Sequence, residues 1–214
     1  DNYNLQDMSY LNFDKTLLIN LERSLSKEMI RTNRAGAYNS TTLVDCNTRK
    51  YHGQLVLPLG DPLPEGNYVL LGSLDETVIQ HGAEFNLGLH KYNADNFSPR
   101  GNKYIREFAW ERVPTTIYNV GGVWLKKEKA FVHHENRILI RYTLLKANTP
   151  VTLRLRPFLA FRSVREYTHE NSIADRSYKE VENGISMRMY ADYPDLYMQL
   201  NKKNEFVYHP DWYR

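Results

Sequence analysis

Between residues 104 and 156 apolar and polar side chains alternate with a period of two, in runs of strand length. A chain patterned this way has little choice but to form half-buried β-strands. Residues 104–110, 115–120 and 123–131 read as successive strands, the last two joined at Gly121-Gly122, a dipeptide that marks a tight hairpin. In the next run Ile138, Ile140, Tyr142 and Leu144 oppose Leu139, Arg141, Thr143 and Leu145. Beyond it, Val151, Leu153 and Leu155 oppose Thr152, Arg154 and Arg156, a strand with one wet face. The turn 146–150 predicts a hairpin between these two runs.

The flanking sequence continues in the same style. Strands are expected over 39–44, over 54–57 up to Pro58, and over 68–79 with a break near Gly72-Ser73, followed by a turn at 80–83 into 84–87. The polar stretch 91–103, with Pro99-Arg100-Gly101-Asn102, reads as a long surface loop. Residues 158–165 extend the alternation, 166–179 read as a charged loop, and 185–190, 196–200 and 205–208 close the chain as three short strands. Leu18, Leu21 and Leu25 allow one short helix between 13 and 30, with Asp14 as its cap. About a dozen strands without a 20–50-residue repeat define the fold class as all-β, a large antiparallel β-sandwich with few or no helices, and residues 1–214 as one domain. Sixteen Tyr, eight Phe and three Trp suit such strands.

Twenty-eight basic residues are interspersed among 25 acidic ones, so no basic stripe marks a nucleic-acid or anionic-membrane partner. A lone Cys46 excludes an intrachain disulfide and favours a reducing compartment. With no apolar run of transmembrane length, the expected location is cytoplasmic.

Polar and glycine residues are densest over 32–53, TNRAGAYNSTTLVDCNTRKYHG. Asn33 and Tyr38 flank a small-residue turn at Gly36, and Asn47, Arg49, Tyr51 and His52 crowd a second turn before Gly53. Two readings stand for this second cluster. Its donors, acceptors and aromatic face suit a sugar hydroxyl array. Equally, the same side chains could tie two loops together by hydrogen bonds to backbone.

No other constellation carries bond-breaking chemistry. Glycoside hydrolysis commonly uses two carboxylates facing each other across the scissile bond. Asp75 and Glu76 are neighbours on one predicted strand, so they point to opposite faces, and one of them reads as a partner of backbone or of a neighbouring arginine at the sheet end. Asp192 and Asp195 flank Pro194 as turn residues. His133-His134 diverge in the same way and have no second ligand pair nearby, so no metal is expected. Cys46 lacks the base and orienting group of a nucleophile. Neither a catalytic residue nor a cofactor is expected in this chain.

Thr32-Asn33, Gly36 with Tyr38, Ser40-Thr41, and above all Asn47-Thr48-Arg49-Lys50-Tyr51-His52-Gly53 form a specific set of motifs. On these residues the chain resembles the N-terminal domain of the bacterial and archaeal type of glycogen debranching enzyme, an amylo-α-1,6-glucosidase. Leu74-Asp75-Glu76-Thr77, Tyr104 with Phe108, Tyr118 with Gly121-Gly122-Val123, Arg141-Tyr142 and 153–157 leading to Phe161-Arg162 follow in the family's order. It departs from the pattern at Ala37, where a second glycine is common, at Met29, often Trp, and at Gln54, often aliphatic. The resemblance implies a β-rich domain that precedes an (α/α)6-barrel catalytic domain, and an enzyme that hydrolyses α-1,6 branches in glycogen or a related branched α-glucan. On that footing the chain is an isolated non-catalytic domain, with Asn33, Tyr38, Asn47, Arg49, Tyr51, His52, Asp75 and Glu76 binding substrate or meeting the absent barrel. The alternative is an autonomous carbohydrate-binding module built on exposed Trp110, Trp124 and Tyr118.

Overall fold

Alternating strands bury their apolar faces by stacking sheet on sheet. A computed structural model shows this arrangement and describes residues 11–14, 20–93, 96–110, 112–166 and 173–208. In chain order the first elements are β1 (Leu11–Asp14), α1 (Leu21–Leu25), β2 (Glu28–Thr32), β3 (Tyr38–Thr42), β4 (Gly53–Leu59) and β5 (Gly66–Gln80). Then come β6 (Ala83–Asn86), β7 (His90–Asn93), β8 (Asn96–Ser98), β9 (Ile105–Trp110), β10 (Pro114–Val120) and β11 (Val123–Phe131). The last are β12 (Ile138–Lys146), β13 (Thr152–Ser163), β14 (Lys179–Val181), β15 (Gly184–Met187) and β16 (Leu196–Gln199).

One sheet runs β1-β9-β10-β11-β12 and the facing sheet β13-β5-β4-β3-β2, with β6 also on β5. Strands β14-β15-β16 form a small third sheet and β7-β8 a lone pair. Phe108, Tyr118, Val120, Val123 and Leu125 of the first sheet pack against Met29 and Val78 of the second, and against Leu43, Cys46 and Leu87 in its loops. A second cluster, Leu55, Leu57, Leu70, Leu71 and Phe161 with Met189 and Leu196, joins the second sheet to the small one. Val120 pairs with Val123 across Gly121 and Gly122, whose φ values of 55° and 80° are those of the tight turn the two glycines predicted.

Several expectations are corrected. Strands β12 and β13 are not a hairpin: β12 pairs with β11 and β13 with β5, so the turn between them crosses from one sheet to the other. Five residues are enough to span the roughly 10 Å between stacked sheets, and local alternation cannot tell that crossing from a hairpin. Within 91–103, β7, β8 and a 3-10 turn at Gly101–Tyr104 replace the loop, and Gly101 is pinned by its N–H to Gly88 O at 2.9 Å. Strand β4 continues through Pro58, because its pairing with β3 has ended at Val56 and no ladder on that side needs the missing N–H. The break at Gly72 is a bulge, since Phe158 and Leu159 face Ser73 and Leu71 and skip Gly72. The helix is capped by Asn20, whose side chain accepts from Arg23 N at 3.1 Å, while Asp14 ends β1 and Leu18 lies outside the described residues. Residues 205–208 form no strand; β14 takes the third place beside β15 through a tight turn, while residues 167–172 of the expected loop lie outside the described residues. Among the described residues no helix is long and apolar enough to cross a membrane.

Candidate functional site

The polar stretch 32–53 folds into two loops that β3 and β4 bring side by side. Asn33 is buried and fully used: Oδ1 accepts from Ala35 N at 2.8 Å and Ala37 N at 3.1 Å, and Nδ2 donates to Glu135 O at 2.8 Å. Asn47 accepts from Thr41 Oγ1 at 2.9 Å and donates to Gly72 O at 2.7 Å, fastening its loop to the bulge of β5. Tyr38 Oη donates to Tyr51 O at 3.1 Å, and Arg162 Nη1 donates to Lys50 O at 2.9 Å. Gly53 ends the loop because a Cβ there would stand 2.7 Å from Val69 Cγ1, closer than packed atoms allow.

His52 is the hinge of this loop. It is 1% exposed, and its Nδ1 accepts from Thr48 N at 2.9 Å and Arg49 N at 3.1 Å. Two donors at Nδ1 leave the ring proton on Nε2, which donates to Glu28 Oε1 at 2.6 Å. Burial pulls the imidazole below its ordinary range, although Glu28 opposes that, so the ring is a neutral donor. Tyr51 Oη donates to the same Glu28 oxygen at 2.9 Å, and Arg49 Nε lies 3.8 Å from it. The Tyr51 hydrogen bond, with those of His52 and the Arg49 charge, holds the Glu28 carboxyl below the usual carboxylate range against its desolvation. Around this carboxylate the Tyr51 ring is 44% exposed and the Arg49 side chain 63% exposed. The structure thus gathers Arg49, Tyr51 and Glu28 on one surface and keeps Asn33, Asn47 and His52 beneath them as framework.

Glu28 was not among the candidates read from sequence. It pairs with Thr42 across the β2–β3 ladder, and only that long-range register brings it to His52, 24 residues away. The one local clue is its place opening an edge strand, where Met29 turns into the core and Glu28 and Ile30 turn outward.

Asp75 and Glu76 do diverge, but their partners differ from those expected. Asp75 meets His90 Nε2 at 2.8 and 2.9 Å, and Glu76 accepts from Lys127 Nζ at 3.0 Å and Tyr142 Oη at 2.7 Å. Among the described residues neither carboxylate takes an arginine. Glu76 belongs to a polar cluster inside the sandwich, in which Lys127 and Lys129 bind Asp45 at 2.8 and 2.9 Å. Lys129 also donates to Gln54 Oε1 at 2.9 Å, and Gln54 donates to Asp45 at 2.7 Å. The departure at Gln54 is therefore a member of this cluster. Two cations face two anions between the sheets: Lys127 and Lys129 continue the inward phase of Val123 and Leu125, while Asp45 and Glu76 lie 82 and 51 residues from Lys127 in sequence.

Tyr118 is buried on the interior face, Trp110 packs partly against the core and Trp124 is half-buried on the opposite phase of β11, so these three aromatics do not share one exposed face. Burial, with the Asp45 charge beside it, pushes the Cys46 thiol up to about 12, an inert state. Among the described residues no group of three or more His, Cys, Asp or Glu is placed to hold a metal ion.

Compared with protein families, residues 27–214 match the one described as "Glycogen debranching enzyme N terminal". Both loops and Glu28 fall inside the matched span. Neither the comparison with curated proteins nor that with solved structures finds a match.

Proposed function

Because the chain belongs to the family of glycogen debranching enzyme N-terminal domains, we propose that it is the non-catalytic β-sandwich domain of an enzyme hydrolysing α-1,6 branches in glycogen. In this reading it packs on a separate (α/α)6 catalytic domain and lends the surface of Arg49, Tyr51 and Glu28 to the glucan cleft, in the cytoplasm. The observation that supports it is the division within the motif loop. His52 and Asn47 are spent on holding the loop, while an aromatic ring, a guanidinium and an oriented carboxylate remain at the surface. A ring face with donors and acceptors at its rim is what a pyranose needs.

The test is calorimetric titration of a branched maltodextrin into the chain, alone and with the catalytic domain of a debranching enzyme added in trans. Saturable binding in at least one arm, weakened about tenfold or more by Arg49→Ala or Tyr51→Ala, supports the reading. Binding indifferent to both substitutions overturns it. Binding confined to the arm with the catalytic domain identifies the surface as half of a shared cleft.

A further inference from the structure

We propose that Glu28 touches the glucan directly, its outward oxygen accepting sugar hydroxyls, and that His52 is the residue that positions it; this rests on the reading of the surface given above.

The hydrogen bonds to Glu28 are lopsided. Tyr51 Oη and His52 Nε2 both end on Oε1, at 2.9 and 2.6 Å, and the Arg49 guanidinium also lies nearest that oxygen at 3.8 Å. Oε2 takes no hydrogen bond among the described residues, although the side chain stands at the surface of an edge strand. A carboxylate serving only to hold the loop would gain by spreading its partners over both oxygens. Here one oxygen is anchored, and the other, on a side chain 37% exposed, has no partner among the described residues on either lone pair.

The anchoring is rigid for a physical reason. His52 cannot turn its ring, because Nδ1 is held by two backbone N–H groups and the ring is closed off from solvent. Its proton therefore points at Glu28 and nowhere else. An orienting donor of this kind fixes a carboxylate as a neighbouring hydrogen bond fixes a metal-binding histidine, by removing its rotational freedom before the ligand arrives.

The chemistry around Oε2 selects a ligand class. An ionised carboxylate accepts hydrogen bonds and repels anions, so a phosphorylated sugar is disfavoured despite Arg49. A neutral glucose unit offers hydroxyl donors to Oε2, hydroxyl acceptors to Arg49 and a C–H face to the Tyr51 ring. The site fits an uncharged α-glucan and discriminates against its phosphate ester.

Glu28→Gln separates contact from folding. The amide oxygen can still accept from Tyr51 and His52, while an NH2 replaces Oε2 and presents donors where an acceptor is required. The expected result is a folded chain whose melting temperature falls only slightly, by the loss of the charge on an exposed acceptor, and an affinity for branched maltodextrin lower by about tenfold or more, the scale of a hydrogen bond to a charged group. The positioning role is read from a pair of variants. His52→Asn can keep an acceptor near Thr48 N and Arg49 N but cannot reach Glu28, and it loses affinity. His52→Gln can return a donor towards Glu28 and recovers part of the affinity. Glu28→Gln binding like the unaltered chain, while Arg49→Ala and Tyr51→Ala weaken binding, overturns this inference and leaves the surface reading intact. Absence of saturable binding in either arm of the titration overturns both. If Glu28→Gln fails to fold, His52→Asn decides, since unchanged affinity there also overturns the proposal.

Discussion

Lys127 donates to Glu76 across 3.0 Å from β11 to β5, an ion pair that bridges the two sheets within the core of the sandwich. Both side chains are almost wholly buried. Charges so placed are stabilised by each other and by Asp45, Lys129, Tyr142 and the Tyr118 ring around them, and removing one strands the rest.

Replacing Lys127 by Met leaves Asp45 with Lys129 and Gln54, and leaves the buried Glu76 with the Tyr142 hydroxyl but no cation in contact. We expect the free energy of unfolding to fall by about 3–5 kcal/mol, read from the urea midpoint at neutral pH. A midpoint within error of the unaltered chain contradicts the buried network.

Acid is expected to release the same network. Burial alone pushes the Asp45 carboxyl up, but Lys127 and Lys129 beside it outweigh that and hold it well below the ordinary carboxylate range. A carboxyl with a depressed folded value contributes stability that is complete above its unfolded value, about 3.9, and is lost as the pH falls towards the folded one. Unfolding free energies measured between neutral and strongly acid pH therefore decline below about pH 5. Asp45→Asn is less stable at neutral pH and shows a shallower decline.

The ring of His52 has a spectroscopic signature. At neutral pH its nitrogen-15 shifts are expected to show the proton on Nε2, because Nδ1 is occupied by Thr48 N and Arg49 N. Burial depresses its titration despite Glu28, so its midpoint falls below the unfolded value of about 6.5. That part of the stability is present above the unfolded value and is lost as pH falls through the folded one. A ring protonated on Nδ1 refutes this geometry.

Gly53→Ala places a Cβ 2.7 Å from Val69 Cγ1. The expected cost is about 1–3 kcal/mol, measured by thermal or urea unfolding. Val69→Ala in the same chain opens the space and recovers part of the loss, a coupling that a double-mutant cycle reports. Independent, additive effects would show that the glycine serves something other than this contact.

Over the alternating stretch 104–156, strand identity and the phase of each strand could be read directly from residue order. Alternation is a local property, and the inward set Val123, Leu125, Lys127 and Lys129 follows from counting by two. What those lysines meet does not follow. Asp45 and Glu76 are separated from Lys127 by 82 and 51 residues, and their pairing exists only once two sheets face each other.

The motif loop divides in the same way. Its residue order alone determined that Asn47, Arg49, Tyr51 and His52 crowd one turn, and that Gly53 closes it. Which of them hold the loop and which face outward was decided by tertiary structure. The buried His52 is spent on Thr48, Arg49 and Glu28, and Asn47 on Gly72. Hydrogen-bond partners distant in sequence are chosen by sheet register, a collective outcome of packing that no local window contains. Glu28 therefore enters the site only in the folded chain.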